Sequence, residues 1–222
     1  MNFPVIEKAE VSDVARFIAS SVLKNLEENK KVLLFLTGGS SVPVGVEVLR
    51  ILNISKTVLD NLTVTLTDER YGDVGHADSN WHKLLEKGVD FSKIKTITVL
   101  RGEDFENTVG NFARDLERVL VNADFKIGLF GIGKDMHTAG ILPGSASAQS
   151  LDFVCGYNTA QFSRITITPK AIAMLDEAVV CLRGEEKREV VEHLRKENDI
   201  NIEPAQILKK VSLLTVFTNY EN

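Results

Sequence analysis

A chain of 222 residues, 44% of them hydrophobic, is long enough to form one α/β domain with a sizeable core. Its formal net charge of −5 argues against non-specific binding of nucleic acid, which needs a basic face. Because no apolar run approaches the roughly 18 residues that a membrane span requires, and the first residues lack a basic segment followed by an apolar one, we expect neither a membrane anchor nor a signal peptide. Two cysteines are too few for a disulfide framework, which predicts a reducing, cytoplasmic environment.

Apolar residues recur at helical spacing in some segments and form short continuous runs in others. Val14, Ile18 and Val22 repeat every four residues and predict a helix, whereas the run Val32–Leu36, which ends in glycines, predicts a buried strand. In chain order the predicted elements are a helix at 11–29, a strand at 32–36, a helix at 44–52, a strand that starts at 62 and ends near Thr67, a strand at 96–100, a helix at 105–121, strands at 126–130, 164–168 and 178–182, a helix at 185–196 and a strand at 212–218.

The order of these elements predicts the fold. Strands that alternate with helices form a mainly parallel sheet with helices on both faces, and no repeat, low-complexity stretch or linker interrupts the chain. We therefore expect one α/β domain over residues 1–222. In such sheets ligands bind beyond the carboxyl ends of the strands, so polar residues directly after a strand are the candidates for chemistry.

The first such cluster is "TGGSS" at 37–41, directly after the first strand. Gly38 and Gly39 let the backbone approach a ligand closely. Ser40 and Ser41 add hydroxyl donors, and the next helix presents free N–H groups at its N-terminus, which together would suit a phosphate. A glycine turn with a serine cap on that helix explains the same residues equally well, so the segment alone leaves both interpretations open.

The second cluster is "TDER", at the end of the second strand. Asp68 could act as a general base, and Arg70 could bind an anion or stabilise an oxyanion. A surface ion pair is the commoner meaning of such a triplet. The polar segment 71–80 that follows is more typical of a ligand rim than of a tight connection.

The third cluster, "GIGKDMHTAGILPG" at 131–144, follows the strand at 126–130. It is not a P-loop, because Asp135 stands where a Ser or Thr should hold magnesium, and it lacks the third glycine of a dinucleotide fingerprint. What remains is Asp135 and His137 on a glycine turn. A neutral imidazole can take a proton from water near pH 7, and a neighbouring carboxylate can orient it. An ordinary surface histidine is the alternative, weakened by the coincidence of position, carboxylate and glycines.

Two isolated cations complete the set of candidates. Arg164 opens the fifth predicted strand, and Lys187 lies at the turn into the last predicted helix. Each, taken alone, is more typical of an ordinary surface charge.

Five segments, taken in order, resemble the 6-phosphogluconolactonase branch of the sugar-phosphate isomerase/lactonase superfamily, which also contains the glucosamine-6-phosphate deaminases. "LTGGSSVP" is similar to the phosphate loop of that family, "DERYGDVGHADSN" to its Asp-Glu-Arg … Asp-Ser-Asn segment, and "GIGKDMHTAGILPG" to its Gly-x-Gly-x-Asp-Gly-His-Thr-Ala segment. "RITIT" and "RGEEK" follow in the order of the family. The resemblance spans most of the chain, and the five motifs in order are specific although each is modest alone.

The resemblance implies a modified Rossmann-like domain that hydrolyses 6-phospho-D-glucono-1,5-lactone to 6-phosphogluconate, the second step of the oxidative pentose phosphate pathway. It implies no metal and no organic cofactor. We expect a small phosphorylated sugar lactone as the partner of the protein, neither nucleic acid nor a membrane, and a monomer or weak homodimer.

The resemblance also implies a role for each candidate residue. His137 would activate water as a general base, and Asp135 would orient it. Arg70 would face the ligand and help to stabilise the developing oxyanion, while Asp68 matches a position that the deaminases use as a base and has a less defined role here. The phosphate would be bound by Gly39, Ser40, Ser41, Arg164 and Lys187.

Two rival functions differ from lactone hydrolysis in what they need at the site. Deaminase sequences have a tyrosine at the position of Arg70 and a Phe-Asn-Glu-Pro segment after their histidine, whereas "TAGILPG" after His137 holds no carboxylate to support ring opening. A non-catalytic sugar-phosphate sensor is favoured by Met136, which stands where the family has glycine. If φ at Met136 is positive, the methionine is strained, and its side chain could narrow the pocket. If φ is negative, the loop has adapted to the methionine.

Overall fold

A parallel sheet of seven strands runs through the centre of the protein. The structure, a computed structural model, describes residues 3–221, and the ten strands β1–β10 found in that range lie at Val5–Ile6, Val32–Leu36, Leu62–Leu66, Asp68–Arg70, Lys95–Thr96, Phe125–Phe130, Val154–Asn158, Ser163–Ile167, Glu177–Leu182 and Leu213–Thr218. The sheet has the order β1-β10-β9-β6-β2-β3-β5, and every neighbouring pair in it is parallel.

Helices supply most of the crossovers that parallel strands require. The α-helices α1–α6 lie at Val11–Glu27, Val42–Ile54, Asn80–Glu86, Phe105–Asn122, Pro169–Ile172 and Arg188–Arg195. Shorter 3-10 turns occupy Gly39–Ser41, Ala146–Gln149, Glu185–Lys187 and Pro204–Lys210. Across residues 3–221, each helix is too short or too polar to traverse a membrane.

Strand β2 shows why helices cover both faces of the sheet. Leu33 and Phe35 point to one face, where they join an apolar cluster with α4 and α6. Leu34 and Leu36 point to the other face and pack with α1 and α2. Because successive side chains alternate between faces and all four are fully buried, the strand is a continuous apolar run, as is typical of a parallel sheet with helices on both sides.

A second, antiparallel sheet consists of β4, β8 and β7, in that order. Its central strand β8 pairs with both neighbours. Where β4 meets β8, Arg70 lies directly opposite Arg164. Opposed residues of an antiparallel pair have their side chains on one face, so this pairing brings together two cations that are far apart in the sequence.

The predicted fold class is confirmed as a single-domain α/β fold with a mainly parallel sheet flanked by helices. The strands predicted at 32–36, 126–130, 178–182 and 212–218 form in the parallel sheet within one residue of the predicted bounds. The helix predicted at 185–196 begins only at Arg188, after a 3-10 turn.

Three predicted elements need correction. The strand expected at 96–100 is limited to Lys95–Thr96; the N–H of Ile97 still donates to the carbonyl of Val64, and strand structure ends there. The segment 164–168 does form a strand, β8, but in the antiparallel sheet. Asp68–Arg70, just beyond the predicted strand end near Thr67, form the separate strand β4. Periodicity reports burial and not the pairing partner, so the sequence pattern could not separate the two sheets.

Candidate active site

One cleft gathers the polar residues that follow four adjacent strands. Because β9, β6, β2 and β3 are neighbours in the parallel sheet, the segments that leave their carboxyl ends meet at one edge. The cleft at this edge has a volume of 340 Å³. Its lining consists of Thr37, Gly38, Gly39, Ser40, Ser41, Asp68, Arg70, Asn80, Gly131, Ile132, Gly133, His137, Ala139, Arg164 and Lys187. Every predicted site residue except Asp135 belongs to this lining.

The turn between β2 and α2 is open to the cleft. Gly39 has a φ of +63°, a conformation that only glycine adopts without strain. Gly39 and Ser40 are exposed, whereas Ser41 is buried. Ser41 is the N-cap of α2, but its hydroxyl makes no capping hydrogen bond, so helix capping does not account for this serine. The exposed turn and the start of α2 form a site at which an anion can meet backbone N–H groups.

His137 and Asp135 form a hydrogen-bonded pair at the end of β6. Nδ1 of His137 lies 2.5 Å from Oδ1 of Asp135. Partial burial acts to raise the pKa of the Asp135 carboxyl, but the charge of His137 and its hydrogen bonds outweigh burial and hold that pKa below its ordinary value. An ionised carboxylate only accepts hydrogen bonds, so in the neutral imidazole the single proton lies on Nδ1. In that form Nε2 keeps its lone pair and can accept a proton in the cleft.

Gly133 leaves the space that this pair occupies. Its N–H donates to the carbonyl of His137 at 2.9 Å, which closes the loop into a tight turn. A Cβ added to Gly133 would lie 2.1 Å from Nδ1 of His137 and 2.5 Å from Oδ1 of Asp135. Any side chain at position 133 would therefore displace the pair.

Met136, between the two residues of the pair, has a left-handed backbone and a side chain in the core. Its φ is +63°, which confirms the strained alternative. The side chain is 3% exposed and packs in the core, and Met136 is not part of the cleft lining, so the expectation that it could narrow the pocket is wrong. Its carbonyl accepts the N–H of Ala205 at 2.9 Å. Burial thus offsets strain, and Met136 is no argument against chemistry at His137.

We expect Met136→Gly to destabilise the protein, because losing a buried methionine costs about 2–5 kcal/mol and glycine relieves only roughly 1–2 kcal/mol of left-handed strain. Met136→Ala removes nearly the same side chain but keeps the strain. The glycine variant should therefore be at least as stable as the alanine variant, whereas at an ordinary position glycine is worse by about 0.5–1 kcal/mol. Urea unfolding measures both differences, and a glycine variant clearly less stable than the alanine variant would show that the position is unstrained.

Arg70 and Arg164 reach the cleft beside the buried carboxyl of Asp68. Nη1 of Arg70 donates to the carbonyl of Asp78 at 2.9 Å and to Oδ1 of Asn80 at 3.2 Å. Nη1 of Arg164 lies 3.9 Å from Oδ2 of Asp68, a loose ion pair. The Nε atom of each arginine is buried without a hydrogen-bond partner in the described part of the chain. Apart from these contacts, the Nη groups of the two arginines make no hydrogen bond within the described residues, so both side chains keep donors free for an anion.

The cleft is cationic although the protein as a whole is acidic. Burial raises the pKa of the Asp68 carboxyl, and the Thr67 hydroxyl and the neighbouring cations oppose this shift without reversing it. A carboxyl with a raised pKa is less ionised at a given pH and offsets less of the charge of the two arginines. Among residues 3–221, no cluster of three His, Cys, Asp or Glu side chains is placed to hold a metal ion. The charge of the cleft therefore favours an anionic ligand.

Lys187 adds a third cation to the cleft from the turn after β9. Its Nζ donates to the carbonyl of Ile132 at 2.8 Å. Partial burial lowers the pKa of the Lys187 ammonium, and repulsion by Lys134 adds to this effect; Glu186 and Asp135 act in the opposite direction. Since an ammonium has three donors, those that Ile132 does not use are available to a ligand.

Two residues to which the sequence analysis gave no role, Glu69 and Asn80, hold the rim of the cleft in place. Glu69 is fully buried. Its two oxygens accept four hydrogen bonds of 2.7–2.9 Å, from the backbone N–H groups of Arg70, Asn80 and Trp81 and from the hydroxyl of Ser79. Nδ2 of Asn80 donates to the carbonyl of Asp68 at 3.0 Å. The loop 71–79 is thereby fastened to β4 at both ends.

Comparison with known proteins points to one family. The family model described as glucosamine-6-phosphate isomerases/6-phosphogluconolactonase matches residues 7–217. The chain is 25% identical to the 6-phosphogluconolactonase of Helicobacter pylori over 185 residues. This alignment covers 78% of this chain and 76% of that protein.

Two solved structures have the same fold. The 6-phosphogluconolactonase of Thermotoga maritima matches with a TM-score of 0.83 and 21% identity over 98% of this chain and 99% of its own. That of Shewanella baltica matches with a TM-score of 0.82 and 21% identity over 98% of this chain and 97% of its own. Such likeness establishes the fold, and the reaction has to be argued from the site.

Proposed function

The chain belongs to the family of glucosamine-6-phosphate isomerases and 6-phosphogluconolactonases, and we propose that it is a hydrolase that converts 6-phospho-D-glucono-1,5-lactone to 6-phosphogluconate in the oxidative pentose phosphate pathway. The observation that carries this proposal is the His137–Asp135 pair, with its 2.5 Å hydrogen bond, at the wall of a cationic cleft. Hydrolysis of a phosphorylated lactone needs an oriented base, a water molecule and stabilisation of negative charge. The likeness to the Helicobacter pylori lactonase supports the same reaction.

The carboxylates of the cleft favour hydrolysis over isomerisation or deamination. Asp68 is the single carboxylate in the cleft lining, and residues 138–144, which follow the histidine, contain no Asp or Glu. Sugar-ring opening followed by proton transfer between carbons needs acid–base groups at more than one substrate atom, whereas lactone hydrolysis can use one base for both of its proton transfers. The site therefore fits the simpler reaction.

The first step is the attack of water on the lactone. As the water oxygen bonds to C1, Nε2 of His137 takes one proton from it, and the electron pair of the C1 carbonyl moves onto its oxygen. Asp135 accepts the Nδ1–H hydrogen bond throughout and stabilises the imidazolium that forms. The Arg70 guanidinium, which lines the cleft, stabilises the oxyanion.

The second step opens the ring. The oxyanion collapses, the bond between C1 and the ring oxygen breaks, and the bonding electron pair goes to the ring oxygen. That oxygen takes the proton held by His137, which returns to its neutral form. The new carboxyl group keeps the second proton of the water and releases it to solvent, so the products are open-chain 6-phosphogluconate, one proton and the regenerated base.

The phosphate group anchors the substrate in this scheme. The exposed turn of Gly39 and Ser40, with the buried Ser41 behind it, offers N–H and hydroxyl donors at the start of α2. Arg164 and Lys187 add charge-assisted hydrogen bonds. Asp68 makes a loose 3.9 Å ion pair with Arg164, and its part in the reaction stays a prediction.

We expect Arg164→Ala and Lys187→Ala each to weaken 6-phosphogluconate binding by about 10- to 150-fold, because each removes a charge-assisted contact worth roughly 1.5–3 kcal/mol. Calorimetric titration with 6-phosphogluconate measures the change. Lys31→Ala is the matched control, since Lys31 precedes β2 at the opposite end of that strand and carries the same charge. Unchanged affinity in both cleft variants would refute their assignment to the phosphate.

The decisive experiment for the function is the turnover of freshly prepared lactone by the purified protein, measured against spontaneous hydrolysis. We expect a clear acceleration and no ammonia release from glucosamine-6-phosphate. Binding of 6-phosphogluconate without acceleration would favour a sugar-phosphate sensor. Release of ammonia would favour a deaminase.

The proposed setting is the cytoplasm, since Cys155 and Cys181 are both free thiols, as is usual in a reducing compartment. A monomer or weak homodimer stays a prediction, and analytical ultracentrifugation over a range of concentrations tests it.

A further inference from the structure

The aromatic ring of Phe162 contacts both arginines of the cleft. Cζ of Arg70 lies 5.1 Å from the ring centroid, and Cζ of Arg164 lies 5.8 Å from it. Both distances fall within the about 6 Å at which a cation is attracted to an aromatic face. Phe162 itself is not part of the cleft lining, so any influence it has on a ligand passes through the two guanidinium groups.

The backbone of Phe162 is held firmly in the turn between β7 and β8. Its N–H donates to Oγ1 of Thr159 at 3.0 Å, and its carbonyl accepts both Oγ1 of Thr159 at 2.8 Å and the N–H of Thr159 at 2.9 Å. Ser163, the next residue, has its carbonyl bonded by the N–H of Tyr71. The ring is therefore carried by a fixed segment of chain and not by a loose loop.

Arg70 and Arg164 need a partner that offsets the repulsion between their charges. Like charges directly opposite each other across an antiparallel pair repel, and Arg70 and Arg164 are opposed in this way. Asp68, which lines the same cleft, makes only the loose 3.9 Å contact with Arg164. An aromatic face attracts both cations without using any of their N–H donors, which leaves those donors for the ligand.

We propose that Phe162 is a positioning residue that holds Arg70 and Arg164 side by side, so that both guanidinium groups bind the anionic substrate together. The identity of that substrate rests on the proposed function. The proposal concerns the two arginines and leaves the proton transfers of His137 untouched. It therefore predicts weaker product affinity and a higher KM, through Arg164 at the phosphate, together with a lower kcat, through Arg70 at the oxyanion.

The test compares Phe162→Leu, which keeps an apolar side chain and loses the aromatic face, with Phe162→Tyr, which keeps the face. We expect the leucine variant to raise KM for the lactone and Kd for 6-phosphogluconate by roughly 3- to 30-fold, and to lower kcat by a similar factor, because Arg70 loses the same partner. The tyrosine variant should stay close to the wild type in all three. Urea unfolding midpoints show whether either substitution disturbs the fold.

A second measurement reports on the arginines directly. Stacking on an aromatic ring shifts the Nε–H resonances of a guanidinium, so the NMR signals of Arg70 and Arg164 should move in Phe162→Leu and return in Phe162→Tyr. Equal affinities and unmoved signals in the leucine variant would overturn the proposal, as would leucine and tyrosine variants that are impaired to the same degree.

The same measurements separate this proposal from the proposed function. Should the wild-type protein fail to accelerate lactone hydrolysis, the lactonase assignment fails. The role of Phe162 is then decided by the Nε–H signals and by the affinity of the wild type and the leucine variant for inorganic phosphate. Weaker phosphate binding in the leucine variant with moved signals supports the role, and unchanged binding with unmoved signals refutes it.

Discussion

Replacement of His137 by alanine is expected to lower kcat for lactone hydrolysis by about 10²–10⁴-fold, the usual cost of removing a general base, and to leave the affinity for 6-phosphogluconate within about threefold of the wild type. The physical reason is that Nε2 is the proton acceptor, while the phosphate is held by other residues. Asp135→Asn should lower kcat by about 10²-fold or more, because an amide can donate to Nδ1 and so place the proton on Nε2. Initial rates corrected for spontaneous hydrolysis measure both effects.

The control for these variants is His82→Ala. His82 lies on α3, where Nε2 is 3.4 Å from Glu86, and it is outside the cleft lining. Its removal should leave kcat unchanged. A His137→Ala protein that keeps more than half of the wild-type kcat would contradict the assignment of the base.

The largest effect on stability is expected from Glu69→Ala. Up to four hydrogen-bond donors now bond to one fully buried carboxylate, and the substitution removes their acceptor. Each buried donor left without a partner costs about 1–3 kcal/mol. Some of these donors lie near solvent and can bind water, so we expect a loss of about 4 kcal/mol or more in the free energy of unfolding. Because Arg70 and Asn80 are anchored by the same carboxylate, the affinity for 6-phosphogluconate should fall as well.

Two further variants sharpen this test. Glu69→Gln keeps the shape of the side chain and one accepting oxygen, but it turns an NH₂ group toward hydrogen-bond donors. The stability of this variant should therefore lie between that of Glu69→Ala and that of the wild type. Glu117→Ala, at an exposed position on α4, should change stability by less than about 0.5 kcal/mol. Urea unfolding gives all three values. A Glu69→Ala protein as stable as the Glu117→Ala protein would show that the buried network contributes nothing.

The parts of the site that the sequence could predict are those that follow buried strands. Polar residues directly after an apolar run stand out at Ser40, Asp135 and His137, and parallel strands bring such ends to one edge of the sheet. The capping alternative for Ser41 could not be resolved from sequence, because it depends on the position of one hydroxyl. The resemblance to a known family was needed to single out Arg164 and Lys187.

The parts that the sequence could not predict depend on pairing between distant segments. Periodicity does not show that β8 lies against β4 instead of in the main sheet, and the contact between Phe162 and two arginines follows only from that pairing. Glu69 could have been suspected, as an acidic residue inside a strand end, but its four donors come largely from the start of α3, a helix that the pattern did not predict. The left-handed backbone at Met136 was one of two open alternatives, because local sequence does not determine φ at a non-glycine residue.

The pairing of β8 with two partners at once decides which changes of chain length the protein can tolerate. In a hairpin the length of the turn sets the register, and a one-residue shift sends every side chain to the other face. An insertion in the turn 159–162 would therefore remove Arg164 from the cleft. Relatives that retain the activity should therefore keep the length of this turn constant.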